Sequence, residues 1–122
     1  MRLRPIRTGD VILVTFPHSV PYGHEQEGKR PAIVVGLPQR LGTPRFPMFL
    51  VVPLTTYIGE WTTKNPELYP LIRAGVAGLS RDSVALLDQL RGIDQSRIDR
   101  YIGNLNRDDL FSMQQLILLM FK

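Results

Sequence analysis

Three short apolar runs, each closed off by proline or glycine, constrain this chain more than any other feature. Residues 11–16 (VILVTF) follow the turn Thr8-Gly9-Asp10 and stop at Pro17. Residues 32–35 (AIVV) follow Arg30-Pro31, and residues 48–55 (MFLVVPLT) follow a turn-rich stretch at 38–47. Runs of β-branched and aromatic residues bounded by turn formers read as strands. Pro53 inside the third run implies a sheet edge or a bulge, because proline has no N–H for the ladder. Residues 18–29 and 57–66 read as loops, the second with Trp61 at its middle. Residues 67–72 read as a short strand, and Gly75 and Gly78 bracket a turn. Residues 82–90 read as one strand centred on 83–87, with 91–93 extending it. Asp94 and Ser96 are placed to cap a short helical turn at 95–99.

Only the last segment carries a helical period. Asn106 stands at an N-cap position with Asp109 three residues on, and Asp108 and Asp109 suit the positive end of a helix. Leu110, Met113, Ile117 and Met120 form one stripe, which Phe111, Leu118 and Phe121 widen. Such a helix requires cover on more than one side: the sheet, and a second subunit. The expected fold is mainly β (α+β), a small SH3-like barrel or bent antiparallel sheet with a C-terminal helix.

With 122 residues the expectation is a single domain over 1–122. The chain has no cysteine, which excludes a thiolate metal site, a Cys nucleophile and a disulfide framework. No apolar run is long enough to span a bilayer and no secretory h-region follows the basic start; the absence of cysteine fits the cytoplasmic home that is expected. The carboxylates are dispersed and no His–His spacing exists, so neither a metal site nor a cofactor is expected. The net charge of +4 sits in residues 1–45, where seven cations face three anions, while residues 46–122 hold eight of each sign. Twelve of the fifteen cations are Arg, the side chain suited to gripping phosphate with two hydrogen bonds. A charge of this size fits first an ordinary solvated surface, and its placement in one half suggests a polyanionic partner as the other reading.

Polar residues stand out where the fold does not require them. Arg30 sits where a loop becomes an apolar strand, with Pro31 fixing the direction just after it. It is placed either to bind a phosphate over the sheet edge or to pair with Glu25 or Glu27. Thr55 ends a strand, where its hydroxyl can donate to a phosphate oxygen or simply serve strand propensity. His24 is a candidate acid or base in a loop. Asp88 and Gln89 interrupt an apolar stretch, which requires either backbone partners or exposure in a groove. Trp61, Tyr57 and Tyr22 can stack on bases or serve a protein interface.

Taken together, four segments resemble the MazF/PemK family of toxins from type II toxin–antitoxin systems. Gly9-Asp10-Val11 resembles the family's opening strand. Gly23-His24-Glu25-Gln26 through Lys29-Arg30-Pro31-Ala32-Ile33-Val34-Val35 resembles its G-x-E-Q-x-G-x-R-P-x-x-V-V signature. Pro53-Leu54-Thr55-Thr56 resembles its P-[IVL]-T-[ST] strand end, and Asp82 through Asp94 resembles its DSV-x-L-[ED]-Q-[IV]-R-x-I-D segment. The resemblance implies a MazF/CcdB-like fold and a metal-independent endoribonuclease (mRNA interferase) that cuts single-stranded RNA sequence-selectively. It also implies a homodimer and a cognate antitoxin whose tail fills the RNA groove. It assigns catalysis to Arg30 and Thr55, and RNA binding to His24, Glu25, Gln26, Thr56, Asp88 and Gln89. One position departs: the PemK-like branch has an Arg two residues before the Asp, and here that residue is Leu86. An acid–base scheme needing that Arg does not apply, so His24 and Asp88 are expected to position RNA. The competing expectations are a CcdB-like gyrase-inhibiting toxin that cuts nothing, and an inert SH3-like binding module.

Overall fold

The computed structural model describes residues 5–122; Arg2 and Arg4, counted above in the basic half, lie outside them. The elements are β1 (Asp10–Phe16), β2 (Gly28–Gly36), β3 (Met48–Thr55), α1 (Glu60–Thr63), β4 (Leu71–Ile72), β5 (Ser83–Ala85), β6 (Arg91–Asp94), β7 (Ile98–Asn104) and α2 (Arg107–Leu119). The recorded strand pairs are antiparallel, in the order β4-β5-β3-β2-β1-β7, with β6 also on β3. The expected mainly-β sheet with a C-terminal helix is what the chain forms, curled into a half-barrel.

Two glycines bring the ends of the sheet together. The turn after β4 reaches the far edge strand β7, where a Cβ on Gly103 would lie 2.4 Å from the Ala77 carbonyl oxygen. Gly78, at φ +78°, faces the Ile102 carbonyl just as closely. Only residues without a Cβ allow two backbones this near.

The sheet has a core on each face. On one side Val11, Ile33, Val35, Val52, Leu54, Leu87 and Leu105 are buried against Met113 and Ile117 of α2. On the other, Ile12, Val14, Phe16, Ala32, Val34, Phe49, Val51 and Ile93 pack together. Each buried Val, Ile, Leu, Phe or Met among them contributes about 1.5–3 kcal/mol by leaving water. Because β1, β2 and β3 are covered on both faces, they read as continuous apolar runs. Asn106 caps α2 as expected, its side chain accepting from the Asp109 N–H at 2.8 Å.

Five sequence expectations need correction, the first being the loop expected over 57–66, which contains the short helix α1 (Glu60–Thr63). Pro53 lies neither at an edge nor at a bulge: it is fully buried in β3, opposite Ala32 of β2. Its carbonyl accepts from the Leu86 N–H at 2.9 Å, so that backbone edge faces away from β2. There β3 exchanges β6, paired as far as Val51, for β5, paired from Leu54. The missing N–H points into the gap between two partners, where no ladder bond is lost. Next, residues 82–90 are not one strand. The strand stops at Ala85, and Leu87–Gln89 form a single 3₁₀ turn before β6 begins. Leu86 and Leu87 still enter the core from that turn, which explains an apolar run that is not a strand. Finally, the helical turn after Asp94 covers only Gln95–Arg97, and the chain then enters β7, which the sequence reading did not include. In residues 67–72 the strand is confined to Leu71–Ile72.

Candidate functional site

β2 pairs with β1 through Val14–Arg30, and cross-strand partners share a face. Val14 belongs to the core opposite α2, so Arg30 rises from that face at its rim. On β3, Val51, Pro53 and Thr55 alternate onto the same face as Val51. The recorded β2–β3 register ends at Ala32–Pro53, and one more pleat of the same register sets Arg30 across from Thr55. The two residues therefore stand on neighbouring strands of one face, at the end away from the β2–β3 connection.

The Arg30 guanidinium is exposed, and its Nε donates to the Glu27 carbonyl at 3.3 Å. Among the described ion pairs neither Glu25 nor Glu27 engages it. The Glu27 carboxylate is held instead by the Ser19 N–H at 2.7 Å and His18 Nδ1 at 3.1 Å. The Ser19 N–H, and after it the His18 ring, hold that carboxyl below the usual range near 4.5. Arg30 thus keeps most of its donors for a ligand. Thr55 is half-buried; its Oγ1 accepts from the Tyr57 N–H at 3.1 Å, which leaves its own O–H to donate elsewhere.

Beside Arg30 the loop before β2 encloses a polar hollow of about 290 Å³, lined by Tyr22, Gly23, His24, Glu25, Gln26, Glu27 and Arg30. The 3₁₀ turn fixes this loop from below. Gln89 accepts from the Gln26 N–H at 3.1 Å and donates to the His24 carbonyl at 3.0 Å. Arg91 Nη1 reaches the Gln26 carbonyl at 3.5 Å while its guanidinium lies 5.3 Å from the centre of the Phe16 ring. Asp88 accepts from the Tyr69 hydroxyl at 2.8 Å, and that bond raises the phenol above its ordinary value near 10.

The structure thus gathers His24, Glu25, Gln26 and Arg30 into one hollow, with Gln89 directly beneath and Asp88 next to it. Thr55, at the end of the neighbouring strand β3, and Thr56 just after it stand outside its lining. Asp88 and Gln89 are polar because they occupy an outward turn, not because a strand tolerates them. Leu86, at the departing position, is buried in the core, so no side chain there reaches the hollow. Sequence reasoning missed Arg91, Tyr69 and His18 as parts of the scaffold. Arg91 lay inside a quoted motif, and Tyr69 and His18 carried no local signal. Among the described residues no three His, Asp or Glu side chains converge, and no helix is long and apolar enough to cross a membrane.

The fold recurs in known proteins. The sequence model of a family described as a PemK-like, MazF-like toxin of type II toxin–antitoxin systems matches residues 7–121. A sequence search of characterised proteins gives no match. Among solved structures, MazF of Deinococcus radiodurans superposes with a TM-score of 0.70 at 24% identity, over 93% of this chain and 94% of that one. The MazE–MazF structure from the same organism gives 0.66 at 23%, covering 93% of each chain. The Mycobacterium tuberculosis toxin MazF-mt6 gives 0.65 at 18%, over 92% of this chain and 95% of that one. These identities speak for a shared fold; the family match over nearly the whole sequence speaks for descent. The chain belongs to the PemK-like, MazF-like toxin family of type II toxin–antitoxin systems.

Proposed function

We propose that residues 1–122 form one toxin domain that cuts single-stranded RNA, mRNA included, at selected sequences without a metal ion. The observation that carries this reading is the register of β2 and β3: continued one pleat past Ala32–Pro53, it brings Arg30, on the rim of the polar hollow, and Thr55 to one face. In this reading the substrate's 2′-hydroxyl oxygen attacks the adjacent phosphorus, and the bond to the 5′-oxygen breaks. The products are a 2′,3′-cyclic phosphate and a 5′-hydroxyl. The 2′-proton passes to a base, for which His24 and Glu25 in the hollow are the candidates, and the leaving oxygen takes up a proton. Arg30 stabilises the charge on the phosphorane and can supply a proton to the leaving oxygen; as a base it is unsuited. Thr55 donates to a non-bridging oxygen. His24, Glu25, Gln26, Thr56, Asp88 and Gln89 hold the flanking nucleotides.

The toxin acts in the cytoplasm as a homodimer and is silenced by a cognate antitoxin. MazE–MazF and a mycobacterial endoribonuclease with its cognate antitoxin are solved as complexes on this same fold. Support for self-association lies on the outer side of α2, where Phe111, Leu118 and Phe121 stay exposed beside Leu50. The test is incubation of the purified protein with mixed-sequence RNA in EDTA, followed by sequencing of the ends. Discrete cuts with 2′,3′-cyclic phosphate ends support the reading. Intact RNA refutes it and leaves the gyrase-inhibiting and inert-module alternatives.

A further inference from the structure

The loop after Thr55 is built more firmly than a connection needs to be. Thr62 is buried, accepts from the Gly59 N–H at 3.2 Å and donates to the Gly59 carbonyl at 2.6 Å. Asn65 Nδ2 donates to the Trp61 carbonyl at 2.8 Å. These bonds brace the turn that carries Trp61, and the Tyr57 N–H is anchored on Thr55 Oγ1 at 3.1 Å. Tyr57 and Trp61 lie 5.9 Å apart, tilted by 35°, and Trp61 sits edge-on to Tyr69 at 4.8 Å. Tyr69 in turn is pinned by Asp88, the neighbour of the Gln89 that fixes the hollow. The aromatic wall, Thr55 and the hollow are thus joined by a continuous chain of contacts. Yet Tyr57 keeps 72% of its surface open to solvent and Trp61 keeps 36%. A rigid, exposed ring pair whose first member binds the Thr55 hydroxyl oxygen through its own N–H is a surface for a flat partner.

We propose that Tyr57 and Trp61 form a stacking subsite for an unpaired nucleobase next to the phosphate bound by Thr55. The inference rests on the RNA-binding side of the function proposed above. An unpaired base offers a π-face whatever its identity, so the subsite adds affinity and positions the strand rather than reading its sequence. The polar hollow beside β2, rich in hydrogen-bonding groups, is left to discriminate between bases.

Trp61 is the sole tryptophan, so its fluorescence reports stacking directly. The probes are 2′-O-methyl homopolymers of A, C, G and U, which lack the attacking hydroxyl, and an oligomer of equal length that is abasic throughout. The wild-type protein should show quenching with all four homopolymers and bind them about tenfold or more tighter than the abasic strand. Tyr57→Leu should bring the homopolymers close to the abasic level, and Tyr57→Phe should restore them. Tyr57 is exposed enough that neither change threatens folding, which circular dichroism will check. Unquenched fluorescence together with homopolymer binding unaltered in Tyr57→Leu overturns the subsite, even if the protein cuts RNA normally. Quenching and base-dependent binding by a protein that cuts nothing uphold the subsite and refute the ribonuclease step alone.

Discussion

At the scale of single residues, Gln89 does more than its place in the sequence suggests. One amide grips the loop at the Gln26 N–H and the His24 carbonyl, and so holds open the hollow beside Arg30. Each bond is worth about 0.5–1.5 kcal/mol. Gln89→Leu keeps the size, removes both bonds, and should speed amide exchange at Gln26 while the exchange of β1 and β3 stays slow. Glu27 fixes the other end of the loop. Its folded pKa is lowered, so its contribution is complete above the ordinary value near 4.5 and disappears as pH falls through the lowered folded value. Titration should therefore show the loop resonances of Ser19 and Glu27 shifting only in acid, with none of that transition in Glu27→Gln. Neither role was legible in the sequence. Arg30 and Thr55 stand 25 positions apart, and what joins them is register, which no local pattern reports.

At the scale of elements, the strands that were legible are those sealed on both faces, because burial forces an unbroken apolar run. β7 was invisible for the opposite reason. Its sequence, IDRYIGN, mixes charged and apolar residues with no period of two at a sheet edge, and it is held chiefly by backbone pairing to β1. Residues 82–90 misled in another way: Leu86 and Leu87 enter the core from a turn, and apolarity alone does not distinguish turn from strand. The close approach of Gly103 to Ala77 could not be foreseen either, since it depends on how far the sheet curls. Gly103→Ala places a Cβ against backbone that has nowhere to retreat. It should destabilise the fold by about 1–3 kcal/mol in urea unfolding. The exposed Gly42, with open space around it, should tolerate the same change.

At the scale of the whole molecule, the proposed reading gives the two faces of the sheet separate tasks. One is closed by α2, and the outer side of that helix remains apolar beside a groove of about 380 Å³ lined by Val35, Leu50, Leu90 and Phe111, among others. In the proposed reading a second subunit covers this groove. Sedimentation should then show a dimer, and Phe111→Glu should shift it toward monomer, since a charge buried there lacks a partner. The opposite face carries Arg30 and Arg91 near its rim, and a strand of RNA laid across it releases counterions. Affinity should therefore fall steadily as salt rises.

The central claim is that one guanidinium and one hydroxyl, on neighbouring strands, act on the same phosphodiester. Single-turnover cleavage of a mapped RNA site by wild type, Arg30→Ala and Thr55→Val, with melting temperatures taken in parallel, tests it most directly. Each variant should keep its melting temperature and cut about 10²–10³ times more slowly, the usual consequence of removing a preorganised donor. A folded Arg30→Ala protein that cuts at the wild-type rate would contradict the account.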